Sequence, residues 1–244
     1  MEKILIIDDE KPTLSMFRLF LGAYGYTVFI ADSGEAGLKI FNREKPSIVF
    51  TDIKMPGMDG LAVLSAIKEI RKETQVIVIT GHGDMELAVK ALDLDATDFI
   101  NKPVQRTALD AALKRAEERA RSTLSSAETI TRKNAEGVAL LTLSGKIDGP
   151  AGRCLLRAGQ GLVLEDKIDV VINFDPNFSI NGEGIAALIN FLTLCRRGGI
   201  TVALSGVSEN FAVIFDMTGI ARLAPMYGTM AKAAGYLKEG RKAV

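Results

Sequence analysis

Residues 47–60 read SIVFTDIKMPGMDG. The apolar and β-branched run 48–51 has the composition of a strand buried on both faces, and it stops on a carboxylate, Asp52. A loop punctuated by Pro56 and Gly57 follows. GLAVLSAIKEI then takes up helical spacing from Gly60, behind Asp59, a favourable N-cap. Working outward, the same unit recurs: KILIID, TVFIA, QVIVIT and TDFIN are further short strands, separated by helical patterns such as GEAGLKIF behind Ser33. Strand alternating with helix across residues 1–121 implies an α/β domain with a five-stranded, doubly wound parallel sheet and right-handed crossovers.

In open sheets of this kind ligands bind outside the carboxyl ends of the strands. The polar residues of this half fall at those ends: Asp8 and Asp9 after the first strand, Asp52 on the third, Thr80 on the fourth and Lys102 after the fifth. Three crowded carboxylates repel, and they take up protons unless a cation neutralises them. A hard ion such as Mg²⁺ suits one or two carboxylates plus phosphate oxygens and water. Lys102 adds a positive point charge for a phosphoryl oxygen and Thr80 a hydroxyl, while an aspartate can act as nucleophile toward phosphorus. Each piece alone is ordinary, since an Asp-Asp pair after a strand is usually a solvated loop and a Lys-Pro pair is common. Their joint placement on successive strand ends is what points to phosphoryl transfer.

DIKMPGMDG at 52–60 and DFINKP at 98–103 closely resemble the signatures of two-component receiver domains, and the resemblance covers residues 1–121. It implies a flavodoxin-like fold with Asp52 as phosphoacceptor. Asp9 and Asp52 would be direct Mg²⁺ ligands, Asp8 would act through water, and the backbone carbonyl of Lys54 would complete the protein ligands. Thr80 and Lys102 would bind phosphoryl oxygens, and the Lys102–Pro103 peptide would be cis. In the family's switch the threonine hydroxyl is drawn inward and an aromatic swings into the vacated space. That residue is Phe99 here, where tyrosine is common, so it can pack inward but offers no hydroxyl; its plain reading is a core residue. His82, the single histidine, is a candidate tuner of dephosphorylation rather than a phosphohistidine, or has neither role.

The pattern breaks near residue 122. STLSSAETITRKNAE is polar and carries no buried-strand signal, so residues 122–136 read as a linker. Upstream, Leu109, Leu113, Ala116, Ala120 and Leu124 could continue the fifth helix into a dimer seam, although packing on its own sheet is the plainer reading. Residues 137–244 resume alternation as a smaller α/β domain with a mixed sheet. GVALLTLSG is a strand or strand pair, AGRCLLRAGQGLVL a helix, DVVINF a strand and GIAALINFLTLCRR a helix. ITVALSG, ENFAVIFDMTGI, a short RLAPMY strand and TMAKAAGYLKEGRK complete it.

This half carries no Walker-type cradle, no histidine and no cluster of metal ligands. Gly182-Glu183-Gly184 opens a loose G-x-G-x-x-A, but a seven-residue stretch separates it from the preceding strand and the expected downstream acid is missing. The order of elements, with LTLSGKID, DVVINF, GGITVALSG and MTGI, resembles the STAS family of sulphate transporters and anti-sigma-factor antagonists. In the antagonist branch the loop before the glycine-bearing helix commonly reads Asp-Ser-Ser-Gly and is phosphorylated on its first serine. Here the matching residues are Asn181, Gly182, Glu183 and Gly184, so that serine is absent. Asn181 suits a helix cap and Glu183 suits the positive end of a helix dipole. The sharper reading is that control has moved from this loop to Asp52. Ser179 is a weaker alternative site for modification.

Composition sets the bounds. The chain has 244 residues, 48% hydrophobic and 25% charged, enough for two packed cores. Lys+Arg and Asp+Glu are both 30, which leaves no positive excess for a grip on nucleic acid. No apolar run approaches the ~18 residues of a membrane span and no signal peptide is visible, so a cytoplasmic protein is expected. Cys154 and Cys195 read as reduced core residues. The expected function is a response regulator phosphorylated by a histidine kinase, whose output domain binds an anti-sigma factor or another STAS-binding protein, with a homodimer as a further candidate. It would be no enzyme beyond its own phosphoryl transfer. The alternatives are a phosphorylation-controlled oligomeric scaffold and a small-ligand or nucleotide sensor.

Overall fold

A computed structural model of the protein describes residues 2–81, 84–121, 130–135, 137–166, 168–176 and 178–242. They fall in two compact units, 1–125 and 126–244. His82 and Leu124 lie outside the described residues.

In the first unit the five expected strands are present: β1 (Lys3–Ile7), β2 (Thr27–Ala31), β3 (Ile48–Asp52), β4 (Gln75–Thr80) and β5 (Asp98–Asn101). They form one parallel sheet in the order β2-β1-β3-β4-β5. The helices are α1 (Lys11–Ala23), α2 (Gly34–Glu44), α3 (Gly60–Ile70), α4 (Met85–Asp93) and α5 (Arg106–Arg121). Strand residues alternate between two covered faces. Ile4, Ile6, Ile48, Phe50, Ile77, Ile79 and Ile100 meet Leu14, Phe17 and Leu21 of α1 and Leu109, Ala112, Leu113 and Ala116 of α5. The opposite face is just as dry, and Ile7 packs against Gly37 of α2 so closely that a Cβ there would stand 2.4 Å from Ile7 Cδ1. Leu109, Leu113 and Ala116 are thus committed to the core of their own domain, as the plainer reading of that spacing expected.

Local signals set the helix starts. Asp59 accepts a hydrogen bond from the Ala62 N–H at 2.8 Å and caps α3. Ser33 occupies the N-cap of α2 but makes no side-chain capping bond.

The second unit has a five-stranded mixed sheet, in the order β12 (Met226–Tyr227), β11 (Val202–Ser205), β9 (Asp169–Phe174), β7 (Val138–Leu143) and β6 (Ile130–Ala135). Only β6 runs antiparallel to its neighbour. A separate parallel ribbon pairs β8 (Lys146–Ile147) with β10 (Ser179–Ile180). Helices α6 (Gly149–Gly161) and α7 (Gly182–Arg197) pack side by side. A helix pair, α8 (Glu209–Met217) and α9 (Ile220–Leu223), follows β11, broken where Gly219 takes φ +79°. The last helix, α10 (Met230–Lys242), sets Ala233 and Leu237 against Val138, Val171 and Ala203 of the sheet.

Three sequence expectations need correction. Residues 130–135 belong to β6, not to a linker. Among the described residues the strand pairs on one side only, and it exposes Arg132, Lys133 and Asn134, so it lacks the apolar alternation of a buried strand. Charge on an edge also discourages further pairing. The helical segment expected through GLVL ends at Gly161 and continues as one π turn, Leu162–Asp166. Cys195 is buried, and burial pushes its thiol up to about 12, but Cys154 lies on the exposed side of α6.

Candidate functional site

The parallel sheet of the first unit delivers side chains from distant positions to one edge. Asp8 follows β1, Asp52 ends β3, Thr80 ends β4 and Lys102 follows β5. Carboxylate oxygens of Asp8, Asp9 and Asp52 lie within 4.8 Å of one another; Asp8 and Asp52 are buried and Asp9 is exposed. Lys102 Nζ is 2.9 Å from Asp52 Oδ2, 3.2 Å from Asp8 Oδ2 and 3.6 Å from Glu10 Oε2. The Lys102–Pro103 peptide is cis. Thr80 is fully buried, and its hydroxyl donates to the Gly81 carbonyl at 3.5 Å. Phe99 is packed wholly inside.

The electrostatics follow from burial. Burial raises the Asp8 carboxyl above the ordinary carboxylate range, only partly offset by the Glu10 N–H at 2.8 Å and by the Lys102 charge. Burial opposes the charge on Lys102, but its hydrogen bond to Asp52 and the charges of Asp52 and Asp8 prevail and hold the ammonium above its usual value. Lys102 approaches Asp8 Oδ2 at 3.2 Å as an ion pair, and among the described residues no well-aligned hydrogen-bond donor satisfies this buried oxygen. A buried anionic oxygen beside two further carboxylates is the donor set a hard divalent cation satisfies. The residues fit Mg²⁺.

Close packing fixes this edge. A Cβ on Gly60 would stand 2.0 Å from the carbonyl oxygen of Asp52, so only glycine lets α3 start directly beneath the end of β3. The Lys54 side chain turns to Asp84, with Nζ 2.7 Å from Oδ1. Sequence reasoning missed Glu10, Gly60 and Asp84. Glu10 was visible as the acid after Asp8-Asp9, whereas no spacing rule links Lys54 to Asp84.

Comparison with known proteins bears on both units. Residues 4–114 match the family model for the response regulator receiver domain, and residues 129–233 match that for the STAS domain. The chain belongs to the response regulators, with a STAS domain behind its receiver. FixJ of Rhizobium meliloti (strain 1021), a transcriptional regulatory protein, is 36% identical over 113 residues, which is 46% of this chain and 55% of FixJ. The transcriptional regulatory protein GlrR of Escherichia coli (strain K12) is 36% identical over 110 residues, 45% of this chain and 25% of GlrR. A receiver domain protein from Clostridium thermocellum of known structure is 36% identical, covering 50% of this response regulator and 98% of that chain, with a TM-score of 0.48. The chain spans 55% of FixJ and 25% of GlrR, so it represents only part of their length.

In the STAS domain, the loop of Asn181, Gly182, Glu183 and Gly184 is the start of α7. Asn181 caps the helix, accepting from the Gly184 N–H at 3.0 Å, and Glu183 sits exposed in the first turn. Gly184 is held where a Cβ would stand 2.1 Å from the Ile147 carbonyl oxygen. Ser179 is 4% exposed within β10, so its expected role as an alternative site of modification fails for lack of access. Among the described residues, no helix is long and apolar enough to cross a membrane.

Proposed function

We propose that this response regulator accepts a phosphoryl group on Asp52 from a histidine kinase and passes the signal through protein binding at its STAS domain. An anti-sigma factor or another STAS-binding protein is the partner. The observation that carries the reading is the Lys102 ammonium held between Asp8 and Asp52 at the carboxyl edge of the sheet.

An oxygen of Asp52 attacks the phosphorus of the donor, and the bond from phosphorus to the donor histidine breaks. Lys102, already at Asp52, offers its charge to an equatorial phosphoryl oxygen. Thr80, at the end of the neighbouring strand, offers its hydroxyl to another. Asp9, Asp52 and the Lys54 carbonyl, with Asp8 nearby, would hold Mg²⁺, which when bound would supply neutralising charge for the transferred group. Inward movement of Thr80 would open space that Phe99, already inside, fills as the switch. At the far end of the signal, the α7 start at 181–184 has no serine to modify, which suits an output governed from Asp52.

The test is partner capture from source lysate on immobilised full chain, with and without Mg²⁺ and beryllofluoride, with Asp52→Asn as control. The expected result is one protein gained or lost only on the beryllofluoride-loaded wild type. A change confined to self-association would instead make the output an oligomeric scaffold, and no change in any interaction would overturn the reading.

A further inference from the structure

A cavity of about 420 Å³ opens at the free edge of the receiver sheet, where α1 and α2 pass on opposite faces of β2. β2 is the last strand on this side, so beyond it the two helices have no sheet left to cover. Leu14 of α1, Ile30 and Ala31 of β2, and Ala36 and Ile40 of α2 give the cavity aliphatic walls. Ile30, Ala36 and Ile40 are only half-buried, so apolar surface stays in water that a ligand would displace. Packing elsewhere holds the walls apart. The Ala31 carbonyl accepts from the Asp8 N–H at 3.1 Å, Leu14 is anchored in the core beside Phe17, and a Cβ on Gly34 of α2 would stand 2.8 Å from the Met58 carbonyl oxygen. Two charged residues complete the lining, Lys11 at the start of α1 and Asp32 after β2. Both are exposed, and among the described residues neither has an ion-pair partner. The remaining polar group, the Ser15 hydroxyl, is spent on the Lys11 carbonyl at 2.9 Å. Asp8, Asp9, Asp52, Thr80 and Lys102 do not line this cavity, which is separate from the acidic edge.

We propose that this cavity binds a free amino acid with a branched aliphatic side chain. The ligand's carboxylate meets the Lys11 ammonium, its ammonium meets the Asp32 carboxylate, and its side chain lies against Leu14, Ile30 and Ile40. The volume falls within the range of small-molecule sites, about 300–1,000 Å³, and the lining has their makeup of apolar walls with a few polar groups. One cation and one anion, unpaired and on different elements, suit a ligand that carries both charges. A ligand with a single charge would use one of them and leave the other idle. The walls offer no aromatic ring for a planar ligand to stack on, whereas Ala31 and Ala36 are short enough to leave room for a branched alkyl group. The site does not depend on the chemistry at Asp52.

The experiment is calorimetric titration of the full chain with L-leucine, L-isoleucine and L-valine at millimolar concentration. 4-Methylpentanoate and 3-methylbutylamine, which keep the branched body but each lack one charge, and glycine, which lacks the body, are the comparison ligands. The expected result is saturable binding of at least one of the three amino acids, with each comparison ligand weaker by about tenfold or more, the scale of one charge-assisted hydrogen bond. Lys11→Met and Asp32→Asn, both at exposed positions, should each weaken the amino acid by a similar factor. Ala36→Leu fills the cavity and should abolish binding while the unliganded chain melts no lower than wild type. Three results would overturn the proposal. No saturable heat with any of the three amino acids removes the site. Binding that is unchanged in both Lys11→Met and Asp32→Asn places the ligand elsewhere. 4-Methylpentanoate bound as tightly as L-leucine removes the assignment of a ligand with both charges.

Discussion

The Lys102 ammonium stands 2.9 Å from Oδ2 of Asp52, a contact between residues 50 positions apart in the chain. No local interaction makes this pair. It exists because β3 and β5 flank β4 in one parallel register, which brings their carboxyl ends to the same edge. Asp8 Oδ2 shares the same ammonium at 3.2 Å, so one cation partly neutralises two buried acids before any substrate arrives.

Replacing that cation should therefore affect chemistry and stability separately. Lys102→Met is expected to lower the rate of labelling by acetyl phosphate about a hundredfold, the usual loss for one aimed electrostatic donor. The ammonium is held above its ordinary value, so its contribution to stability is complete below the unfolded value of about 10.4. It is lost as pH rises through the raised folded value. Thermal melts between pH 9 and the alkaline limit should show this loss in wild type and not in the variant.

Asp8 carries the opposite sign. Burial raises its carboxyl, so the folded state binds this proton more tightly than the unfolded chain does. Its contribution to stability falls as pH rises from the ordinary value near 3.8 through the raised one, and the deficit persists at neutral pH. Asp8→Asn should then melt higher than wild type at pH 7 without divalent ions. Mg²⁺ should raise the melting temperature of wild type in a saturable way and that of Asp8→Asn much less. A variant that melts lower than metal-free wild type would contradict this account.

These residues were legible in the sequence because each ends a buried strand, and a parallel sheet converts strand ends into one edge. The apolar runs 4–7, 48–50 and 76–79 mark the strands themselves. What stayed hidden depends on contacts that no run encodes. β6 is a polar edge strand that exists through pairing with β7, so its sequence resembles a linker. The Lys54–Asp84 pair joins two loops whose approach only the folded sheet determines. Cys154 follows the apolar spacing of α6 closely enough to suggest burial, yet lies on the open side of the helix.

The buried pair of Asp98 on β5 and Arg115 on α5 invites a sharper test. Arg115 Nε donates to Asp98 Oδ2 at 2.7 Å, and Asp98 Oδ1 accepts from the Phe99 N–H at 2.9 Å. Arg115→Met would take the Arg115 guanidinium away from a carboxylate with no solvent access, leaving Arg119 as a cation that feels its charge. Urea unfolding should show a loss of about 3–5 kcal/mol. Adding Asp98→Asn removes the buried negative charge while keeping an acceptor for Phe99, so the double variant should be more stable than Arg115→Met alone.

Glycine substitutions separate packing from helix propensity within the STAS domain. Gly184 starts α7 against the β8 backbone, where a Cβ would stand 2.1 Å from the carbonyl oxygen of Ile147, which cannot rotate away. Gly184→Ala forces α7 off the ribbon and should destabilise the domain by about 1–3 kcal/mol. Gly235 lies in the middle of α10 with nothing within 4 Å of its missing Cβ and no positive φ. There alanine meets no neighbour and restricts only the unfolded chain, so Gly235→Ala should stabilise by about 0.5–1 kcal/mol. Denaturant midpoints of the two full-length variants should move in opposite directions from wild type. If both fell, α10 would need its glycine for a contact outside this chain; if both rose, the close approach of α7 to β8 would be wrong.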